Sequence, residues 1–578
     1  MADTMPKTQP EHVVTSYVYC SAAMLTSDAE AVGIDDVSDE IVVQIIQRVG
    51  AGCRGDDGEW RSRDLFNLAV CSRRFYQLVE PELYSEFVQN TSEIKYERHF
   101  LLFLKRILAR PDLAQCLKRL WTTACSNKAE SLLAVESELA EGDWKRIRKV
   151  VNEASRTEDE AARWIRALEL GQWAAIMALL LSVTPNLEEL EISEWSDHNL
   201  YYEHLLEALE RARILQDSGK ESPFSMSKLR IVSVNYYDME NGYKFEQVVS
   251  FLQLKSVEAF RGDMVSQTYD HVENYFIYRK PPKYPLPKLM TKDLTFTNSV
   301  ISHHDMLVIL GCFPQLERFH YEYGGSVVGR DLFEPPLMMA ALEHLKPCLK
   351  DLTLVTDEWS GISTYETYPI GSLAGFQKLV SITAHASIMV GEEWSVYGDS
   401  DYEDDGIPDT QDLVDAVPPT LESLSLKDCK RRSRIADHIF ELVSQKSWRT
   451  PALRKLDLGW EGVKYPDKES PRGPILHPGF RKEEAAKLMV ECKAAGIEIA
   501  IDYLPPRPKY VGFGRKGEIL DEKSVASGHS PSTSTTLIEK YFEYPYEGYE
   551  EYCEQNDCDP KTGNLKWLSP PWDFDDFL

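Results

Sequence analysis

Few side chains in this sequence are spaced for bond chemistry, and each such group fails on its surroundings. Gly512-Phe513-Gly514-Arg515-Lys516-Gly517 has the glycine spacing that brings backbone amides up to a pyrophosphate. It follows Pro505-Pro506-Arg507-Pro508 and runs into no amphipathic helix, so the strand–turn–helix frame that would aim those amides is missing. Cys553 and Cys558 have no second ligand pair at zinc spacing and read as unrelated thiols. His303-His304-Asp305 precedes a helical run, and no Glu or further His completes a metal set, which favours a capping or surface role. The acidic run 398–406 lacks the ligand order and the terminal bidentate Glu of a calcium loop, and reads as a solvated excursion. No nucleophile elbow, phosphate-binding loop or His-Glu-x-x-His helix occurs. The expectation is a protein with no catalytic residue, no cofactor and no metal.

Composition narrows the classes. The chain has 578 residues, 43% hydrophobic and 11% aromatic, which suits several folded units or one elongated array. A net charge of −29 leaves no Lys/Arg excess to displace phosphate counterions, so nucleic acid is not an expected partner and basic protein surfaces are. The 11 cysteines form no paired framework, and residues 1–32 show no secretory pattern; a reduced, cytoplasmic and/or nuclear protein is expected. The longest apolar run, 173–183, is too short to span a bilayer and predicts a buried helix, so no membrane partner is expected. Lys427-Asp428-Cys429-Lys430-Arg431-Arg432-Ser433-Arg434 is the one basic cluster; a loop after a strand is the default reading and a nuclear import signal the alternative.

The elements that would position a binding surface begin at residue 35. Asp35, Asp36, Asp39 and Glu40 load carboxylates where a helix dipole is positive, and Ile41, Ile45, Ile46 and Val49 recur at helical spacing. A polar loop (50–63) then leads to a second helix with Asp64 as N-cap and Leu65, Leu68, Ala69, Phe75, Tyr76 and Val79 as apolar positions. It is expected to stop before Pro81. Two such helices cannot bury both apolar faces against each other, so some apolar surface must meet another partner.

The run Val37-Ser38-Asp39-Glu40-Ile41-Val42-Val43-Gln44-Ile45-Ile46, with Asp64-Leu65-Phe66-Asn67-Leu68-Ala69-Val70-Cys71-Ser72-Arg73-Arg74-Phe75 and Glu80-Pro81-Glu82-Leu83-Tyr84, resembles the F-box of fungal F-box proteins. The resemblance implies a substrate receptor of an SCF-type cullin–RING ubiquitin ligase that grips the Skp adaptor. By match to the motif, Val37, Ile41, Ile45, Leu65, Leu68, Val70, Cys71 and Phe75 would carry that contact or its supporting core. The chain departs from the family at Val37-Ser38, where Leu-Pro is usual, and in a longer loop at 51–63. The alternative for 35–88 is a helical hairpin that caps a larger domain.

From Leu117 the chain repeats itself. Clear Leu-x-x-Leu-x-Leu-like units start at Leu187, Leu349, Leu421 and Leu453, looser ones at Leu117, Leu229, Leu254, Leu316 and Leu379, and an irregular one runs from Leu289 to Phe296. Helical stretches lie between them at 205–215, 245–252, 305–312, 337–345, 435–445 and 483–495. This alternation predicts an α/β fold: a short helical module followed by an irregular leucine-rich-repeat solenoid, a horseshoe of strand–helix repeats. A doubly wound α/β domain is the alternative, and it would need strands buried on both faces. The expected divisions are a disordered 1–34, the F-box-like 35–88, a helical junction and cap at 89–183, the array 184–504 with an acidic loop 398–412, and a tail 505–578 that is Pro/Ser/Thr-rich, then aromatic and acidic. The tail could pack on the last repeat or serve as a partner-binding peptide.

In each strand the outer apolar positions point to the core and the residues between face the open side. Glu191, Ser193, Ser233, Asn235, His320, Glu322, Thr353, Thr383, His385, Ser425, Lys427 and Asp457 are therefore the expected contacts for a protein substrate. Two readings remain: a ubiquitin-ligase substrate receptor bound to the Skp adaptor and cullin scaffold, and a repeat scaffold not coupled to ubiquitination.

Overall fold

The computed structural model describes residues 37–52, 59–89, 94–124, 139–194, 202–236, 242–266, 288–324, 333–356, 368–391, 411–429, 435–460, 482–503, 512–513 and 519–520. The expected disordered start (1–34), almost all of the acidic loop, most of the basic cluster and nearly all of the C-terminal tail lie outside these residues. The chain is a mixed α/β protein in two compact units, Met1–Arg230 and Ile231–Leu578.

The first unit opens with three helices, α1 (Asp39–Gly52), α2 (Glu59–Cys71) and α3 (Arg73–Leu83). These helices differ from the sequence expectation in three places. Helix α2 starts at Glu59, so Asp64 lies inside it and not at its N-terminal boundary. The expected single helix breaks at Ser72, whose extended backbone and Oγ, accepting from Phe75 N at 3.1 Å, make it the N-cap of α3. Finally, α3 runs through Pro81, which sits in the last turn, where the helix has little left to lose.

The third helix answers the burial problem. Val42 and Ile46 of α1, Leu65 and Ala69 of α2, and Phe75 and Val79 of α3 form one core, with Val37, Val49, Leu68, Leu78 and Leu83 packed against it. Arg74 ties α3 to the start of α1: it donates to the Val37 carbonyl and, through Nε, to Asp39 Oδ1 at 2.8 Å.

Beyond α3 the chain forms β1 (Glu86–Val88), a short strand absent from the sequence reading, then α4 (Ile94–Ala109) and β2 (Arg119–Ala124). Helices α5 (Glu141–Ala154), α6 (Glu158–Glu169) and α7 (Trp173–Val183), the strand β3 (Glu189–Glu194) and α8 (Glu203–Ser218) complete the unit. The three strands pair in parallel, β1 with β2 and β2 with β3. The apolar run 173–183 is the buried helix expected, enclosed on every side from Trp173 to Ser182. No single helix among the described residues is long and apolar enough to cross a membrane.

In the second unit the strands are β4 (Ile231–Tyr236), β5 (Ala259–Asp263), β6 (Asp293–Ser299), β7 (Arg318–Tyr323), β8 (Asp351–Thr356), β9 (Ser381–His385), β10 (Ser423–Cys429), β11 (Lys455–Trp460) and β12 (Glu498–Tyr503). Each pairs in parallel with the next. Helices Phe245–Leu252, His303–Gly311, Pro335–Leu342, Ile435–Ser444 and Lys482–Ala494 fall close to their expected positions. The turn before each strand hydrogen-bonds to the turn before its neighbour. Amides of Lys292, Glu317, Lys350, Val380, Glu422, Arg454 and Glu498 donate to carbonyls of Glu258, Lys292, Glu317, Lys350, Val380, Glu422 and Arg454 at 2.8–2.9 Å.

Leu254, Leu316, Leu349, Leu379, Leu421 and Leu453, the expected unit starts, are completely buried. At roughly 1.5–3 kcal/mol for each such side chain, this apolar column is a large share of what holds the unit together. Most described strands bury alternate positions only, as in β4 and β7, so one face is core and the other is not. That pattern excludes the doubly wound alternative, whose strands would be buried on both sides.

Candidate functional site

Two kinds of surface stand out, one on the N-terminal helices and one on the open strand face of each unit taken by itself. The first is on the N-terminal helices, where the core accounts for only half of the apolar residues. Helix α1 buries Val42 and Ile46 yet leaves Ile41 47% and Ile45 48% exposed. Helix α2 buries Leu65 and Ala69 and leaves Phe66 59% and Val70 65% exposed. Each exposed pair is four residues apart and so lies on a single helix face. Single exposed apolar side chains are ordinary, whereas paired rows on adjacent helices mark an interaction surface.

This arrangement sorts the eight residues implied by the motif. Ile41, Ile45, Val70 and Cys71 face outward; Leu65 and Phe75 belong to the core; Val37 and Leu68 are half-buried against it. Phe66 and the half-exposed Tyr76 extend the outward surface; the sequence places Tyr76 among the apolar positions of the helix, and neither residue is among the expected adaptor contacts. Their signal was present, since Phe66 and Val70 repeat at the same spacing as Leu65 and Ala69.

Behind this surface sits a buried carboxylate. Glu80 of α3 accepts from Tyr76 Oη at 2.8 Å and from the Nη2 atoms of Arg106 and Arg110, both at 3.1 Å. Burial works against its charge, but these hydrogen bonds outweigh burial and hold the carboxyl below the usual range. Phe87 stacks on Phe103 at 4.3 Å beside it. The three helices are thereby joined to α4 and β1.

The second surface is the strand face opposite the apolar core. All twelve expected contact residues lie on that side of their strands. Glu191 and Ser193 flank the buried Ile192 in β3; Ser233 and Asn235 alternate with Val232 and Val234 in β4. His320 and Glu322, Thr353, Thr383 and His385, Lys427 and Asp457 are all half-buried and out of register with the core positions. Ser425 is the exception in degree: on the same side, it is buried. Six of them fall in one register row of the second unit, running through Ser233, Arg261, Thr295, His320, Thr353, Thr383, Ser425 and Asp457.

A neighbouring row, two residues earlier in each strand, escaped the sequence reading. It runs through Asp293, Arg318, Asp351, Ser381, Ser423 and Lys455. The Leu-x-Leu part of the consensus points to the first row, and the same alternation carried back two positions finds this one. Arg318 is held by Asp293, with Nε at 3.0 Å and Nη2 at 2.9 Å, and Lys455 by Asp457 at 2.8 Å. Burial pushes the Asp351 carboxyl above its ordinary range, with Arg318 pulling the other way and Asp293 adding to the rise. Burial likewise lowers the His320 imidazole, whose Nε2 is enclosed without a hydrogen-bond partner.

The remaining sequence candidates for chemistry gain nothing. Gly512–Phe513 pairs antiparallel with Ile519–Leu520, so a strand rather than a helix returns after the glycine run. Ser302, not either histidine, caps the helix at His303, accepting from Asp305 N at 3.1 Å. Among the described residues no group of His, Cys, Asp and Glu could hold a metal ion. Cys553 and Cys558 lie outside them.

No protein-family model matches the sequence, and no curated protein is similar to it.

Proposed function

We propose that this chain is a substrate receptor of an SCF-type cullin–RING ubiquitin ligase. In this reading α1–α3 are an F-box that docks the Skp adaptor. The strand–helix array is a leucine-rich-repeat solenoid whose open face holds a protein substrate. The observation that carries it is the pair of apolar rows, Ile41/Ile45 and Phe66/Val70, left uncovered over a core that is already complete. A module that needed these side chains for its own stability would have buried them.

The departure at Val37-Ser38 is compatible with docking. Val37 packs on the core, and the Ser38 carbonyl accepts from Ile41 and Val42 amides at 3.1 Å, so the helix starts without the usual proline. The receptor performs no bond chemistry: it raises the effective concentration of a substrate lysine near a ubiquitin-charged enzyme held elsewhere on the scaffold.

The test is co-purification with the Skp adaptor, comparing wild type with Ile41→Glu/Val70→Glu. Both changes fall on exposed positions, so the module should stay folded by circular dichroism. Wild type should retain the adaptor and the variant should lose at least about tenfold in affinity, the effect of burying unpaired charge in an apolar contact. Equal retention by both would remove this surface from the account and leave the repeat scaffold as the better description.

A further inference from the structure

Three neighbouring strands of the second unit present a low polar floor between two ion-paired walls. In β8, β9 and β10 the face positions are Asp351, Ser381 and Ser423 in one register row, and Thr353, Thr383 and Ser425 in the next. All six side chains are short, so a partner's backbone can come close to the strands there. Arg318 and His320 of β7 stand on one side of the same two rows, and Lys455 and Asp457 of β11 on the other. Both wall cations are already held by carboxylates, Arg318 by Asp293 and Lys455 by Asp457.

Two charges on this floor are not neutralised. The Asp351 carboxylate makes no ion pair or hydrogen bond with a described residue, because Arg318 beside it turns to Asp293. Lys427 lies at the opposite corner, in β10 and opposite His385 of β9, and it too makes no ion pair with a described residue. Its stem lies over Gly459, where a Cβ would come 3.4 Å from Lys427 Cδ; glycine leaves that path open. Asp351 and Lys427 are two strands and four residues apart, which at ~4.8 Å per strand and ~3.3 Å per residue separates them by about 16 Å. That is the span of roughly five extended residues.

We propose that this floor binds an extended segment of a partner protein with opposite charges at its two ends, a Lys or Arg paired with Asp351 and an Asp or Glu paired with Lys427. The hydroxyls between serve as donors and acceptors for the segment's backbone. The two half-buried charges set its direction, since reversing the segment would bring like charges together. The inference rests on the recognition half of the proposed function, the strand face as a binding surface, and is independent of adaptor docking.

The probe is a random twelve-residue phage-displayed library panned on the intact chain, with Asp351→Lys and Lys427→Glu panned in parallel. Wild type should enrich a basic residue about five positions from an acidic one. Asp351→Lys should replace the basic preference with an acidic one, and Lys427→Glu should do the reverse. Each swapped variant thus reports a new preference that a misfolded chain could not produce. A synthetic peptide from the wild-type selection should bind Asp351→Asn about tenfold more weakly. Peptides without this charge pair, the same peptides on wild type and Asp351→Lys, or no enrichment on wild type would overturn the inference. The adaptor result is read separately, so either proposal can fail alone.

Discussion

Glu80 is a buried carboxylate and Asp351 a half-buried one, and their surroundings drive them in opposite directions. Glu80 has three donors, and its folded carboxyl titrates below the unfolded one. Its stabilisation is present above the unfolded pKa and is lost as pH falls through the folded value. Glu80→Gln should cost about 1–3 kcal/mol in urea unfolding at neutral pH, reduced toward the lower figure because both arginines are partly exposed, and the cost should shrink in acid. For Asp351 the sign reverses. Its raised folded pKa is a penalty on the charged form, absent below the unfolded pKa and growing as pH rises through the folded one. Asp351→Asn should therefore raise the melting temperature at pH 7, by a gain of about 0.5 kcal/mol, and leave it unchanged near pH 3. A carboxylate kept in an unfavourable place fits the proposed pairing of Asp351 with a partner's Lys or Arg.

At the scale of elements, Ser72 decides where one helix becomes two. Ser72→Ala removes the Oγ that accepts from Phe75 N, and a loss of about 1 kcal/mol is expected in thermal unfolding of the chain. The break was hidden in the sequence because Leu65, Leu68, Phe75 and Val79 fit one helical period across it; only the fold shows that the backbone turns at Ser72. Pro81 misled in the other direction, since a proline in the last turn costs far less than one in mid-helix. Among strands, most of those carrying leucine at the template positions were legible. β12 was not, because Ile499 and Ile501 stand where the template has its second and third leucines and Gly496 where it has the first, and β1 was too short to register. The open-face residues were legible from period-two alternation alone. Half of the apolar surface on α1 and α2 was legible only as part of a motif, because helical spacing does not say which of two apolar rows is covered.

On the scale of whole units, each strand of the second unit buries its apolar side only with help from its neighbours. Leu424→Ala in β10 should cost about 2–5 kcal/mol, and hydrogen exchange should quicken in β9 and β11, the strands paired with it. Quickening confined to β10 would mean the units of the array are more independent than their shared turn ladder implies. In the first unit, the proposal is that α1–α3 dock an adaptor through the surface that the core leaves uncovered. The direct test is to titrate the intact chain with purified Skp adaptor by calorimetry and to check stoichiometry by light scattering. A one-to-one complex with Kd below about 1 μM is the expected result, as for a stable apolar docking surface. Absence of heat and of co-elution at tens of micromolar, about −6 kcal/mol or weaker, would contradict it.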